Sequence, residues 1–153
     1  MFGFCKSVHV TLVLLVVAVP VIHLNEPHMS IQAFEGGRFG YIAQPLQTTK
    51  EETRYSVMIH TQPWQTIQIK LFFASLEKCN QTIATSGDHL KIESVLWHSD
   101  PICGEQNSKT ILRAQSISPQ HTEISYVQHP RRNQTRSEIK SSFLLSYESK
   151  SSF

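Results

Sequence analysis

The sequence predicts an all-β fold, an antiparallel β-sandwich, on three observations. Apolar and polar residues alternate in several short runs, the period of a half-buried strand. No window sustains apolar residues at i, i+3, i+4 and i+7, so no stable amphipathic helix is expected. Pro, Gly, Ser and Asn interrupt the runs at close spacing, giving roughly seven short strands.

The first element is a leader. "MFGFCK" carries one positive charge, and an apolar run follows from Leu12 to Ile22. That run has the length of a signal-peptide core, falls short of a bilayer crossing, and contains Pro20, which would interrupt a spanning helix. Residues 1–24 are therefore expected to be a secretory signal, with no membrane span once it is removed.

Residues 25–38 follow as an irregular lead-in with two adjacent glycines, and a short strand is expected near Phe39–Ala43. "RYSVMIH" then places Tyr55, Val57 and Ile59 on one face. "TQPW" is a turn, and "TIQIKLFF" places Ile67, Ile69 and Leu71 inward. "CNQTIATSG" is a polar loop before "HLKIESVLW", with Leu90 and Ile92 inward. "KTILRAQ" and "TEISYV" are the next strands, Ile124 and Tyr126 alternating in the second. "SSFLLSYES" closes the fold, and residues 150–153 are a polar tail.

At 153 residues the chain is one domain's worth. Charged residues make up 17 %, below the usual quarter, and the formal charge of +2 is too small to imply nucleic acid. The basic stretch from His129 through Arg131, Arg132 and Arg136 reads as a solvated loop, with a heparin or phosphate contact as the alternative.

Secretion decides how the cysteines are read. Cys5 leaves with the leader, and Cys79 and Cys103 remain. In an oxidising compartment they most simply form one disulfide, worth on the order of 3 kcal/mol in the chain-entropy picture. Zinc is the weaker reading, because no CxxC or HxxxH spacing is present. Asn80-Gln81-Thr82 and Asn133-Gln134-Thr135 are candidate glycan acceptors.

Catalytic signatures are missing: there is no GxSxG elbow, no HExxH and no phosphate-cradling glycine loop. His23, His28, His60, His89, His98, His121 and His129 are scattered at turns and strand edges, where a solvated ring is expected. No catalytic residue is assigned and an enzyme is not expected.

Residues 39–147 resemble the CUB domain, an extracellular sandwich module. The resemblance runs in order through "GRFGYIAQP", "QPWQTIQIKLFFASLE", "GDHLKIES", "PICG", "TEISYV" and "SSFLLSY". It implies a jelly-roll-like β-sandwich spanning residues 39–149. The chain departs from the family in lacking an earlier cysteine pair in "RYSVMIH", and in "IAQPLQT", which has no Ser-Pro-x-Tyr-Pro. One branch of the family binds calcium through a Tyr, a Glu and two Asp. Glu77 and Asp88 match two of these, whereas Val127 and Gln128 stand where the second Asp would be and the Tyr is absent. Calcium held by two carboxylates would be weak, on the order of millimolar; otherwise Asp88 fixes a loop corner through hydrogen bonds. No other cofactor is expected.

The expected function is that of a secreted, non-enzymatic binding module for an extracellular protein or glycan, similar in its single-domain layout to the spermadhesins. The alternatives are an accessory or regulatory subunit of an extracellular protease or receptor, and a fragment of a larger multi-domain CUB protein. The ligand and the oligomeric state are not legible in the sequence.

Overall fold

A computed structural model describes residues 19, 21–33, 38–47, 49–78, 87–115, 117–130 and 141–151. Among them the chain is all-β. Its strands are β1 (Val21–His23), β2 (His28–Gln32), β3 (Arg38–Ala43), β4 (Thr53–Thr61), β5 (Gln65–Ser75), β6 (His89–Ser94), β7 (Trp97–His98), β8 (Glu105–Gln106), β9 (Lys109–Gln115), β10 (Gln120–Gln128) and β11 (Ser142–Ser151).

They form two sheets. The first runs β1-β3-β11-β5-β8, with β9 also paired to β5; the second runs β2-β4-β10-β6-β7. Their inner faces carry the alternating residues that the sequence marks as apolar. Val57, Ile59, Leu90, Ile92, Ile124 and Tyr126 come from the second sheet, and Ile42, Ile69, Leu71, Phe143 and Leu145 from the first; all are fully buried. Tyr126 and Phe143 meet across the gap with ring centroids 5.0 Å apart. Gly40 lies opposite Tyr147, and a Cβ there would come within 2.6 Å of the phenol oxygen, so only glycine leaves room for this ring.

The sandwich is mixed rather than purely antiparallel. β1 pairs with β3 and β2 pairs with β4 in parallel. Both parallel pairs come from the N-terminal segment, which adds one strand to the edge of each sheet. Leu24 sits at the crossing and is fully buried; its N–H donates to the Ala43 carbonyl at 3.1 Å. Residues 25–38, expected to be irregular, thus contain a strand on which Met29 and Ile31 pack against the core. The stretch expected to be leader overlaps the fold as well, since β1 and Leu24 belong to the sandwich. A leader whose removal leaves this core intact ends before Val21.

The run "HLKIESVLW" is not one strand. It turns at Val95–Leu96, and Trp97 returns antiparallel against Ser94. The apolar end of that run is therefore exposed. Lys150 and Ser151, expected as tail, extend β11 and pair with Thr66 and Gln65.

Candidate functional site

Strand direction sorts the connections to two ends of the sandwich. One end holds the starts of β4, β6 and β11 and the end of β10. The other holds the β4–β5, β6–β7 and β9–β10 turns.

Asp88 organises the first end. It is fully buried immediately before β6. Its Oδ1 accepts the His129 backbone N–H at 2.7 Å, and its Oδ2 accepts the Tyr126 hydroxyl at 3.0 Å and the Ser141 hydroxyl at 2.7 Å. One carboxyl group thereby ties the start of β6 to the end of β10 and the approach to β11. A buried carboxyl group is costly unless its oxygens are met by donors, and here both are met. Nearby, the Phe143 N–H donates to Gln44 Oε1 at 3.1 Å and the Leu46 N–H donates to Asn25 Oδ1 at 2.9 Å.

Glu77 is exposed, and its side chain lies over Gly87, where a Cβ would come within 2.9 Å of Glu77 Oε2. The fold thus brings Glu77 beside the residue that precedes Asp88. Calcium takes six to eight oxygen ligands. Asp88 directs both oxygens at protein donors, and among the described residues no group of three or more His, Cys, Asp or Glu side chains is arranged to hold a metal.

Two of the histidines at this end are not the solvated rings expected from sequence. His89 is buried and its Nδ1–H donates to the Gly87 carbonyl at 2.8 Å. His129 places Nδ1 3.3 Å from Glu52 Oε2. The backbones around Cys103 are also fixed. Gly104 N–H donates to the Glu77 carbonyl at 2.8 Å, Leu76 N–H donates to the Gly104 carbonyl at 3.1 Å, and Ile102 bonds Leu90 in both directions. Cys79, Asn80, Asn133 and the basic residues Arg131–Arg136 lie outside the described residues.

The opposite end differs in kind. Gln62-Pro63-Trp64-Gln65 is a β-turn in which the Gln65 N–H donates to the Gln62 carbonyl at 3.3 Å. Pro63 occupies the first corner. Trp64 occupies the second with φ +64°, a place ordinarily taken by Gly or Asn. Such a conformation costs roughly 1–3 kcal/mol for a bulky residue. The Gln65 side chain holds the turn in place: it is buried, and its Oε1 accepts the Gln62 N–H at 2.8 Å. Trp64 itself remains 49 % exposed. The neighbouring turns are equally apolar at their tips, with Leu96 90 % and Ile117 73 % exposed. His121 joins the three turns, because it lines one cavity with Val95 and His98 and a second with Pro63 and Pro119.

Sequence reasoning singled out Asp88 but passed over Trp64. The signal available was Pro-Trp at a turn corner where Pro-Gly would be free of strain.

Comparison with known protein families, with curated proteins and with solved structures finds no match for this chain.

Proposed function

We propose that the chain is a secreted, non-enzymatic binding module that engages an extracellular protein or carbohydrate through the turns at the Trp64 end of the sandwich. The observation that carries this reading is the display of Trp64, Leu96 and Ile117 on three turns joined around His121, on a scaffold whose own core is already closed. Large apolar side chains exposed at loop tips suit a partner's surface.

The order of the CUB-like motifs supports an extracellular module, as do the leader and the two sequons at Asn80 and Asn133. The hydrogen-bonded backbones of Glu77 and Gly104 support a Cys79–Cys103 disulfide, since the cysteines lie two residues and one residue from that contact.

Two measurements test the reading. Intact mass of the secreted protein, reduced and non-reduced, with and without glycosidase, should show a cleaved leader, one disulfide and glycan. Labelled protein should then bind cell surfaces or a glycan array saturably. A full-length, unglycosylated product with free thiols, or the absence of any surface, glycan or protein partner, overturns the proposal.

A further inference from the structure

We infer that the outer edge of β2 pairs with the same edge of a second copy of this chain, joining two β2-β4-β10-β6-β7 sheets across a two-fold axis at Ser30. The inference goes beyond the binding role proposed above and does not depend on it.

Strand order leaves β2 at the edge of its sheet, and among the described residues no strand pairs with its outer side. The bonds to β4 show which backbone groups face that side. The Pro27 carbonyl accepts the Ser56 N–H at 2.9 Å, and the Ala33 N–H donates to the His60 carbonyl at 2.9 Å. Backbone direction alternates along a strand, so Met29 and Ile31 also turn their N–H and C=O groups toward β4. His28, Ser30 and Gln32 turn theirs outward.

The two sides of the sandwich are not treated alike. On the side away from β2, β7 and β8 are two residues each, and β9 carries Lys109 and Arg113 and a register shift in its pairing with β5. Short strands, charges and bulges are the devices that keep an edge from pairing with another chain. β2 has none of them. "HMSIQ" runs for five residues without Lys, Arg, Asp, Glu or Pro, and its register with β4 is unbroken. The chain reaches β2 from β1 through Leu24, and Val21 of β1 adds an exposed apolar side chain to that side.

Register selects the occupant. An outward residue pairs only with an outward residue, and one antiparallel register uses all of them. It sets Ser30 opposite Ser30 of the second copy and His28 opposite Gln32 of the second copy, each pair exchanging two backbone hydrogen bonds. Between them Met29 falls opposite Ile31 of the second copy, on the face where both already pack against the core. This self-complementarity, with no like charges opposed, favours a second copy over an unrelated strand. Such a contact closes on itself at a dimer. So short an edge buries less than the roughly 1,200 Å² of a standard interface, so the dimer should form in the micromolar range. β2 runs parallel to β4, toward the β4–β5 turn, so the two copies carry their Trp64 ends in opposite directions.

The test is sedimentation of the secreted protein from micromolar to millimolar concentration. A reversible monomer–dimer equilibrium with no larger species is expected. On dimerisation the amides of His28, Ser30 and Gln32 should gain protection from hydrogen exchange, whereas those of Met29 and Ile31 are protected in both states. Ser30→Pro removes an outward N–H that the sheet does not use. It should abolish the dimer and leave the urea midpoint unchanged. Ser30→Lys keeps the N–H but opposes two ammonium groups, and it should weaken the dimer several-fold, more at low salt.

A chain that stays monomeric throughout overturns the inference, as does a dimer that either variant leaves intact. Protection gained at β9 instead of β2, or growth into open chains, also overturns it. Ser30-dependent binding of a different protein by a chain that does not self-associate assigns the edge to that partner and removes the dimer. If Ser30→Pro lowers the midpoint, Ser30→Lys decides.

Discussion

The two ends of the sandwich treat their difficult groups in opposite ways. At one end Asp88 is withdrawn completely from water and both of its oxygens are met by donors. At the other, Trp64, Leu96 and Ile117 are held out in water, and one of them sits on strained backbone. The first arrangement is what a chain needs to hold loops together. The second leaves apolar surface in water, which is the surface the proposed reading assigns to a partner. If the Trp64 end binds as proposed, structural and binding roles lie a strand's length apart, and substitutions should separate them.

The largest effect is expected at the closed end. Asp88→Ala strands the Tyr126 and Ser141 hydroxyls and the His129 N–H in a buried site, and each unpaired donor costs roughly 1–3 kcal/mol. The variant should lose on the order of 3–5 kcal/mol by urea unfolding, or fail to be secreted. A loss below about 1 kcal/mol would show that water replaces the carboxyl group and would dissolve the contrast between the ends.

Cys103→Ala comes next. If Cys103 is paired with Cys79 as proposed, opening a loop of about 25 residues should cost on the order of 3 kcal/mol and lower the yield of secreted protein. Unchanged secretion and an unchanged urea midpoint would count against the Cys79–Cys103 pairing.

At the open end, Leu96→Ser with Ile117→Ser should shift stability by no more than about 0.5 kcal/mol while reducing partner binding several-fold. Equal losses of stability and binding would erase the distinction.

The smallest effect belongs to Glu93, on the outer face near that end. The Lys91 ammonium, hydrogen-bonded to it, holds its carboxyl group below the usual carboxylate range; partial desolvation opposes this, and the positive charges of Lys91, Arg54 and His98 assist. Because the folded pKa is lowered, the contribution is present above the usual carboxylate range and is lost as pH falls through the folded value. Lys91→Ala should raise the titration of Glu93 seen by NMR. Its stability cost, below about 1 kcal/mol for so exposed a pair, should vanish in acid.

Much of the scaffold was legible because a strand buried on one face writes its pattern at every second residue. Tyr55, Val57 and Ile59 are an example, and all three are buried. β1 was hidden because its apolar residues continue the apolar run that begins at Leu12. β2 was hidden because only Met29 and Ile31 interrupt a polar stretch, as suits an edge strand. β7 and β8 are two residues each, too short to show any period. Asp88 could be singled out as a lone acid at a strand's start, but its partners lie 38, 41 and 53 residues away, and nothing local encodes that meeting. Trp64 was read as part of a turn, yet the sign of its φ depends on which corner it takes, and that follows from the pairing of β4 and β5 around it.

The strand order sets a schedule for biosynthesis. β11 is the middle member of β1-β3-β11-β5-β8, and β10 is the middle member of β2-β4-β10-β6-β7. The two described strands that come latest in chain order are thus the spines of the two sheets. Until they emerge, β3 and β5 in one layer, and β4 and β6 in the other, each present an open edge toward a neighbour that has not yet been made. Without β10 and β11 the two layers are half-sheets with open inner edges, the kind of edge that is prone to pair with another chain.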